Sequence, residues 1–244
     1  MKGFGPETFG TLNADEYDAL HDPGTTDDSV ALIDELAGDG AILELAIGTG
    51  RVALPLARRG RIIKGVEASP DMVAKLRDKP GGQDIPVLIG DMAEAAPDGP
   101  FDFAFLIFNT LFNLTTQDAQ LRCFQTVANV LNPGGAFLIE TFVPDLTEPR
   151  YSGAVVTKHV SSGSATLEVL DHDRAAQTLN FQRVRITEDG VRLIPLPMRY
   201  AWPAEIDLMA KLAGLDLEQR WGDWRRGAFT TGSKMHVSVY RKPQ

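Results

Sequence analysis

The stretch ILELAIGTGRVALPLARRG, residues 42–60, limits the possible folds more than any other part of the sequence. A mostly apolar run of strand length is followed by two glycines, and an apolar pattern with helical spacing begins directly afterwards. Gly48 and Gly50 let the backbone turn tightly where the strand ends and allow a ligand to approach it closely. This order is typical of an α/β fold whose ligand lies beyond the carboxyl ends of its strands.

Strand-like and helix-like segments alternate through the first half of the chain. We predict strands at residues 41–47, 61–69, 85–92, 101–109 and 134–142, with single helices between them. Asp28 or Ser29 is predicted to cap a helix before the first strand, and further helices are predicted at about 70–77 and 115–131. Strands joined by single helices predict a parallel sheet covered by helices on both faces.

From about Tyr151 the pattern changes to strand-length runs that short turns connect. These runs predict an antiparallel meander over residues 151–202, followed by a helix from Pro203 and two last strands. No repeat or linker divides the chain, so we expect one domain, 1–244, in which the meander is an insertion on the main sheet.

Charge and cysteine content narrow the possible partners. The formal net charge is −9 and no basic stripe stands out, which argues against nucleic-acid and membrane partners. Cys123 is the single cysteine, so we expect no internal disulfide, no thiolate metal cage and no bound metal. Neither a leader-like segment nor a run of 18 apolar residues occurs, and we expect a cytoplasmic monomer or homodimer.

Three acidic residues follow or interrupt three successive predicted strands. Glu44 lies inside the first strand, where an uncompensated carboxylate costs several kcal/mol, so it requires hydrogen-bond or cationic partners. Glu67 comes 19 residues after Gly48, close to the spacing at which an acid binds a ribose diol, and Asp91 ends the third strand. Together they suit a ligand with a ribose, an amine-bearing base and positive charge, and they repel a pyrophosphate.

Two alternatives remain open at this point. GTGRVA also satisfies the pattern G-x-G-x-x-A of dinucleotide sites, which would indicate a nicotinamide-dependent oxidoreductase. Glu44, Asp91 and the lack of a second substrate domain argue against that interpretation. A non-catalytic protein that keeps the cofactor site is the other alternative.

Four ordered motifs, ELAIGTG, GVEAS, IGDM and LNPGG, resemble those of the class I S-adenosylmethionine-dependent methyltransferases. The resemblance spans about Tyr17 to Thr141 and implies a seven-stranded Rossmann-like sheet. It also implies S-adenosylmethionine as the cofactor and S-adenosylhomocysteine as the product. Ala46 is a departure, because many members of the family carry glycine there.

The resemblance also implies roles for particular residues. Glu44 and the Gly48–Gly50 turn would hold the methionine part of the cofactor, Glu67 its ribose, and Asp91 with the Met92 backbone its adenine. Phe108 and Asn109, which follow the fourth strand, would face its amino acid end, and packing is the favoured alternative for Phe108. The other residues that the resemblance places at the cofactor are Tyr17, Ala46, Thr49, Arg51, Ala68 and Met72. Arg51 would touch the carboxylate of the cofactor or only solvent.

Tyr17, His21 and Asn113 are the candidates for catalysis. Tyr17 occupies the place where related small-molecule methyltransferases carry a tyrosine over the sulfonium, and His21 lies one turn along on the same face. Ordinary alternatives are an amphipathic helix position for Tyr17 and a helix cap for Asn113. Five aromatic residues would line an acceptor pocket or pack in the core: Tyr200, Trp202, Trp221, Trp224 and Phe229.

We therefore expect methyl transfer to an amine or hydroxyl of a small-molecule metabolite, with the insertion 151–202 covering the acceptor. A hydroxyl acceptor must lose its proton to a base before attack, whereas a neutral amine need not.

Overall fold

The computed structural model describes residues 3–21, 23–147, 151 and 153–244, without the side chain of Leu20. Ser152, inside the predicted insertion, lies outside the described residues. The helices are α1 (Thr8–Asn13), α2 (Tyr17–Leu20), α3 (Thr26–Ala37), α4 (Ala53–Arg58), α5 (Pro70–Arg77), α6 (Gln117–Val130) and α7 (Pro203–Leu212). Short 3-10 helices lie at Gly82–Asp84 and Thr110–Asn113.

Two sheets contain the strands. The main sheet holds β1 (Ile42–Leu45), β2 (Ile63–Glu67), β3 (Val87–Ile89), β4 (Phe101–Leu106), β5 (Leu131–Phe142), β10 (Asp216–Trp221) and β11 (Met235–Arg241). The second sheet holds β6 (Val156–Val160), β7 (Ser164–Asp173), β8 (Thr178–Thr187) and β9 (Gly190–Arg199).

The main sheet has the strand order β10-β11-β5-β4-β1-β2-β3. Strands β1 to β5 run parallel, while β11 is antiparallel to both of its neighbours, β5 and β10. Every residue of β1 is buried, as expected for a central parallel strand with helices on both faces. The predicted seven-stranded Rossmann-like sheet with an antiparallel addition after β5 is confirmed.

Side chains cap the starts of α5 and α6, and one predicted cap is wrong. Ser69 caps α5 by accepting a hydrogen bond from the Met72 amide at 3.4 Å, and Thr116 caps α6 in the same way. The predicted cap of α3 at Asp28 or Ser29 is wrong, since that helix begins at Thr26. Ser29 instead donates its hydroxyl to the carbonyl of Thr26, one turn earlier within the helix.

The second sheet is a four-stranded antiparallel meander, and its side chains alternate between two faces. The inner face is mostly buried and carries Glu168, Leu170, Phe181, Ile194 and Met198. The outer face leaves apolar side chains exposed: Val169, Ile186, Val191 and Leu193. After β9, the chain enters the core that the main sheet shares with this layer, where Tyr200 and Ala201 are fully buried.

Within the part of the chain that the structure describes, no helix combines the length and the apolar character that a bilayer crossing requires.

Candidate functional site

The turn after β1 holds three residues in the left-handed region of backbone space. Ala46, Gly48 and Gly50 have φ values of 51°, 56° and 80°. At Gly50 a Cβ atom would come within 2.4 Å of Leu76 Cδ1, so close packing also excludes a side chain at this position. A left-handed conformation favours glycine. It therefore strains the alanine at position 46.

Glu67, at the end of β2, holds this turn in place. Its Oε2 atom accepts the Gly48 amide at 2.9 Å, and its Oε1 atom accepts the Ser69 amide at 2.9 Å. Only 8% of the residue is exposed, and burial raises the pKa of its carboxyl group against the opposing effect of the amides. Glu67 therefore connects the glycine turn to the start of α5 and is not a surface glutamate.

Glu44 lies buried beneath the same turn. Its Oε2 atom has no hydrogen-bond partner among the described residues. Burial raises the pKa of Glu44 well above its usual range, while Arg51 and the Ala53 amide act in the opposite direction. The region therefore has an unused acceptor next to a glycine turn, which fits a ligand bearing an ammonium or a water bound with it.

A second strained turn follows β4. Phe108 and Asn109 have φ values of 62° and 61°, which bulky residues rarely adopt and which is common near functional sites. The Phe108 amide donates to Glu140 Oε2 at 2.5 Å, and Asn109 Oδ1 accepts the Phe142 amide at 2.6 Å. The Arg51 guanidinium lies 5.3 Å from the centre of the Phe108 ring. Contacts from β5 therefore hold this turn against its intrinsic preference.

Sequence reasoning missed Glu140. Burial raises the pKa of its carboxyl group to about 7, and the Phe108 amide and Arg51 lower it only in part. The signal was present in FLIETF, an acid inside an apolar strand, just as Glu44 lies inside β1.

A cavity of about 490 Å³ opens beyond the carboxyl edge of the main sheet. Of the sequence-predicted residues, those lining it are Tyr17, His21, Ala46, Gly48, Glu67, Ala68, Met72, Asp91, Met92, Phe108, Asn109 and Asn113. Glu44, Thr49, Gly50 and Arg51 do not line this cavity: Thr49 and Gly50 belong to the turn, and Glu44 and Arg51 lie next to it. Asp91 Oδ1 accepts the Ala93 amide at 2.9 Å, which fixes the loop after β3.

The N-terminal segment, residues 3–21, closes one side of the cavity. Phe4 and Phe9 line it, and sequence reasoning did not single out either residue. The Tyr17 and His21 rings stack at 4.8 Å, and the Phe9 ring packs edge-on against both. Burial raises the pKa of Tyr17 to about 12, so the phenol keeps its proton at neutral pH.

His21 makes a contact that limits its chemistry. Its Nε2 atom lies 3.1 Å from Arg183 Nη1, and because arginine only donates, Nε2 is the acceptor. Burial, and then the Arg183 charge, lower the pKa of His21. The lone pair on Nε2 is therefore already in use. His21 serves better as an anchor for Arg183 than as a general base.

The second sheet supplies the opposite wall through Lys158, Glu168, Phe181, Arg183 and Leu196. None of these was singled out from the sequence, because only the strand register shows which side of the meander faces inward. None of the five predicted aromatic residues lines the cavity, which favours core packing, the alternative to an acceptor pocket. Tyr200 and Trp224, for example, are buried in the two hydrophobic clusters of the core.

Comparison with known proteins agrees with this geometry. A family model described as "Methyltransferase domain" matches residues 42–135. The solved structure of the CcbJ methyltransferase from Streptomyces caelestis is 35% identical, with a TM-score of 0.89 over 99% of this chain and 100% of that chain. The chain belongs to the class I S-adenosylmethionine-dependent methyltransferases. The predicted family, enzyme class and cofactor are confirmed. The comparisons do not support the nicotinamide interpretation of GTGRVA.

Two further matches are more distant, one in sequence and one in fold. YqeM of Bacillus subtilis (strain 168), a methyltransferase by assignment, is 32% identical over 130 residues. That match covers 52% of this chain and 53% of YqeM, so the chain matches about half the length of this curated relative. CalS10 of Micromonospora echinaspora, an amino pentose methyltransferase solved with S-adenosylmethionine bound, is 20% identical with a TM-score of 0.68 over 94% and 96% of the two chains.

Proposed function

We propose that this methyltransferase acts on an amine nitrogen of a small molecule. The observation that carries the proposal is the cavity of about 490 Å³, which runs from the carboxyl edge of the main sheet to the inner face of the second sheet. The N-terminal segment bounds it on one side and β8 and β9 on the other. A volume of this kind is typical of small-molecule sites.

The residues at the sheet edge suit the cofactor in the order that the motifs imply. Glu67 keeps a lone pair for a ribose hydroxyl, since a carboxylate has about four and the amides of Gly48, Ala68 and Ser69 act on it. Asp91 and the Met92 backbone suit the adenine amine, and Tyr17, which lines the same cavity, is the residue that the resemblance assigns to the reacting centre. Glu44 and Arg51 support the methionine end from beneath the turn. When bound, the cofactor supplies a methyl group on a positively charged sulfonium.

Displacement at a sulfonium consumes charge, so alignment and exclusion of water matter more than a strong acid or base. Alignment alone contributes on the order of 7 to 11 kcal/mol. A hydroxyl acceptor must lose its proton to a base, whereas a neutral amine attacks through a lone pair it already has. His21, whose Nε2 accepts from Arg183, offers no free base. This favours nitrogen over oxygen as the methylated atom.

The distant structural neighbour CalS10 is an amino pentose methyltransferase, which agrees with an amine acceptor. In this proposal the insertion 151–202 covers the acceptor, and Asn113, at the end of its 3-10 helix, contacts it. The cytoplasmic location and the monomeric or homodimeric state remain predictions.

The proposal predicts that filling the cavity from β9 blocks methyl transfer without affecting the cofactor. Leu196→Trp adds bulk on the inner face, so transfer of labelled methyl groups to a panel of small amines should fall by about tenfold or more. Affinity for S-adenosylhomocysteine, measured by calorimetry, should stay within about twofold.

Leu193→Trp is the matched control, because Leu193 lies on the same strand but is 58% exposed on the outer face. It should transfer as the unchanged chain does. Equal transfer by the unchanged chain and both variants would show that the acceptor does not enter this cavity.

A further inference from the structure

We propose that Glu168, Lys158 and Arg183 form a subsite that binds the hydroxyl groups of the acceptor, so that the substrate is a polyhydroxylated amine. The inference rests on the proposed function and deepens it. These three residues are called the inner-face triad below. All three line the cavity, on β6, β7 and β8 of the second sheet.

The strand register brings the triad together. Glu168 lies directly opposite Arg183 in the β7–β8 pair, and β6 follows on the other side of β7. The Glu168 carboxylate is 3.7 Å from Lys158 Nζ and 3.7 Å from Arg183 Nε. Alternation along the strands places Leu170 and Phe181 on the same inner face. The polar triad is therefore built into a mostly apolar wall.

Glu168 is a buried acid with two cations beside it. Only 5% of the residue is exposed, so its charge needs nearby compensation. Distances of 3.7 Å are long for charge-assisted hydrogen bonds, which lie at about 2.7 to 2.9 Å. The two cations thus compensate the charge of Glu168 while keeping hydrogen atoms that can be donated to another group.

The donor and acceptor count of the triad fits hydroxyl groups. A carboxylate accepts from a hydroxyl, and an ammonium or guanidinium donates to one. Two neighbouring hydroxyls can therefore bind Glu168 and one of the two cations at the same time. Arg183 already gives one of its five N–H groups to His21, which fixes its position. Phe181 and Leu196 supply apolar surface beside the triad for the carbon skeleton of such a molecule.

The placement also orients the molecule. His21 connects the triad, through Arg183, to Tyr17, whose ring stacks on it at 4.8 Å. A molecule held by its hydroxyls at the triad therefore extends toward Tyr17 and the glycine turn, where methyl transfer would occur. The excess of one positive charge in the triad disfavours an acceptor with several ammonium groups.

The experiment compares two kinds of amine. Aminohexoses carry hydroxyls next to the amine, while cyclohexylamine has a ring of the same size without them. With labelled S-adenosylmethionine, the chain should methylate at least one aminohexose with a lower KM than cyclohexylamine. Glu168→Gln and Arg183→Gln should each raise the KM for that aminohexose by about 10-fold to 100-fold. Their kcat, their KM for cyclohexylamine and their affinity for S-adenosylhomocysteine should change by less than about threefold.

Glu188→Gln, at an exposed position between β8 and β9, is the matched control for loss of one carboxylate and should leave every constant unchanged. A lower KM for cyclohexylamine than for every aminohexose would overturn the hydroxyl subsite and leave the proposed function intact. Variants that lose thermal stability but keep their KM for the aminohexose would show that the triad is only structural. Transfer to no amine at all would reject the proposed function, and the inference with it.

Discussion

Glu67→Ala is expected to weaken binding of S-adenosylhomocysteine about 30-fold to 1000-fold, or about 2 to 4 kcal/mol. Each charge-assisted hydrogen bond from the ribose to this carboxylate is worth roughly 1.5 to 3 kcal/mol when lost, and water replaces part of it. The same carboxylate accepts the Gly48 and Ser69 amides, so the variant also releases the glycine turn. Calorimetric titration measures the change.

Turnover at saturating cofactor should fall much less than affinity, because the ribose takes no part in bond making. Asp71→Ala is the matched control, since Asp71 is an exposed acid in the first turn of α5, close to Glu67 in sequence. It should bind as the unchanged chain does. An affinity of Glu67→Ala equal to that of the control would remove Glu67 from the cofactor site and the GVEAS alignment with it.

Glu140→Gln should stabilise the chain more strongly as the pH rises. Burial holds the pKa of Glu140 at about 7, above the ordinary value of 4.5, so the folded state disfavours the charged carboxylate. The stability that this residue contributes is complete below pH 4.5 and is lost as the pH rises through 7. Glutamine imitates the protonated acid at every pH. The variant should exceed the unchanged chain by about 1 kcal/mol at pH 5.5 and about 3 kcal/mol at pH 8.

Urea unfolding at the two pH values measures this difference. Glu94→Gln removes a carboxylate from the surface ion pair with Arg122 and controls for the change in net charge. A constant difference between Glu140→Gln and the unchanged chain at pH 5.5 and pH 8 would mean that Glu140 is already ionised throughout this range. Its hydrogen bond with the Phe108 amide would then stabilise the charged form.

The sequence predicted the sheet and the cofactor edge because both follow from local pattern. Buried strands alternate with helices, and the Gly48–Gly50 turn and Glu67 come at the spacing that the fold requires. The start of α5 was also predictable, since Ser69 and Pro70 are a capping residue and a first-turn proline.

The rest of the site depends on contacts between distant parts of the chain. No local rule places bulky Phe108 in a left-handed turn; the Glu140 carboxylate, 32 residues away, holds it there. Likewise, Arg183 meets His21 across 162 residues, which only the docking of the second sheet brings about. The predicted cap of α3 was wrong for a simpler reason. The helix already begins at Thr26, before the better capping residues Asp28 and Ser29.

The cavity also explains why strain is stored where it is. Ala46, Phe108 and Asn109 are non-glycine residues with positive φ, and all three line the cavity. Such conformations cost of order 1 to 3 kcal/mol each and persist only where surrounding contacts enforce them. In the proposed function, the surrounding contacts keep the two turns in the shape that receives the cofactor.

Finding the atom that receives the methyl group tests the proposed function most directly. The purified chain is incubated with trideuteromethyl-labelled S-adenosylmethionine and a cell extract separated by dialysis into small and large molecules. Mass spectrometry then locates the label. The proposed function predicts label on a nitrogen atom of a compound in the dialysable fraction. Label confined to protein or nucleic acid, or carried only on oxygen, would contradict it.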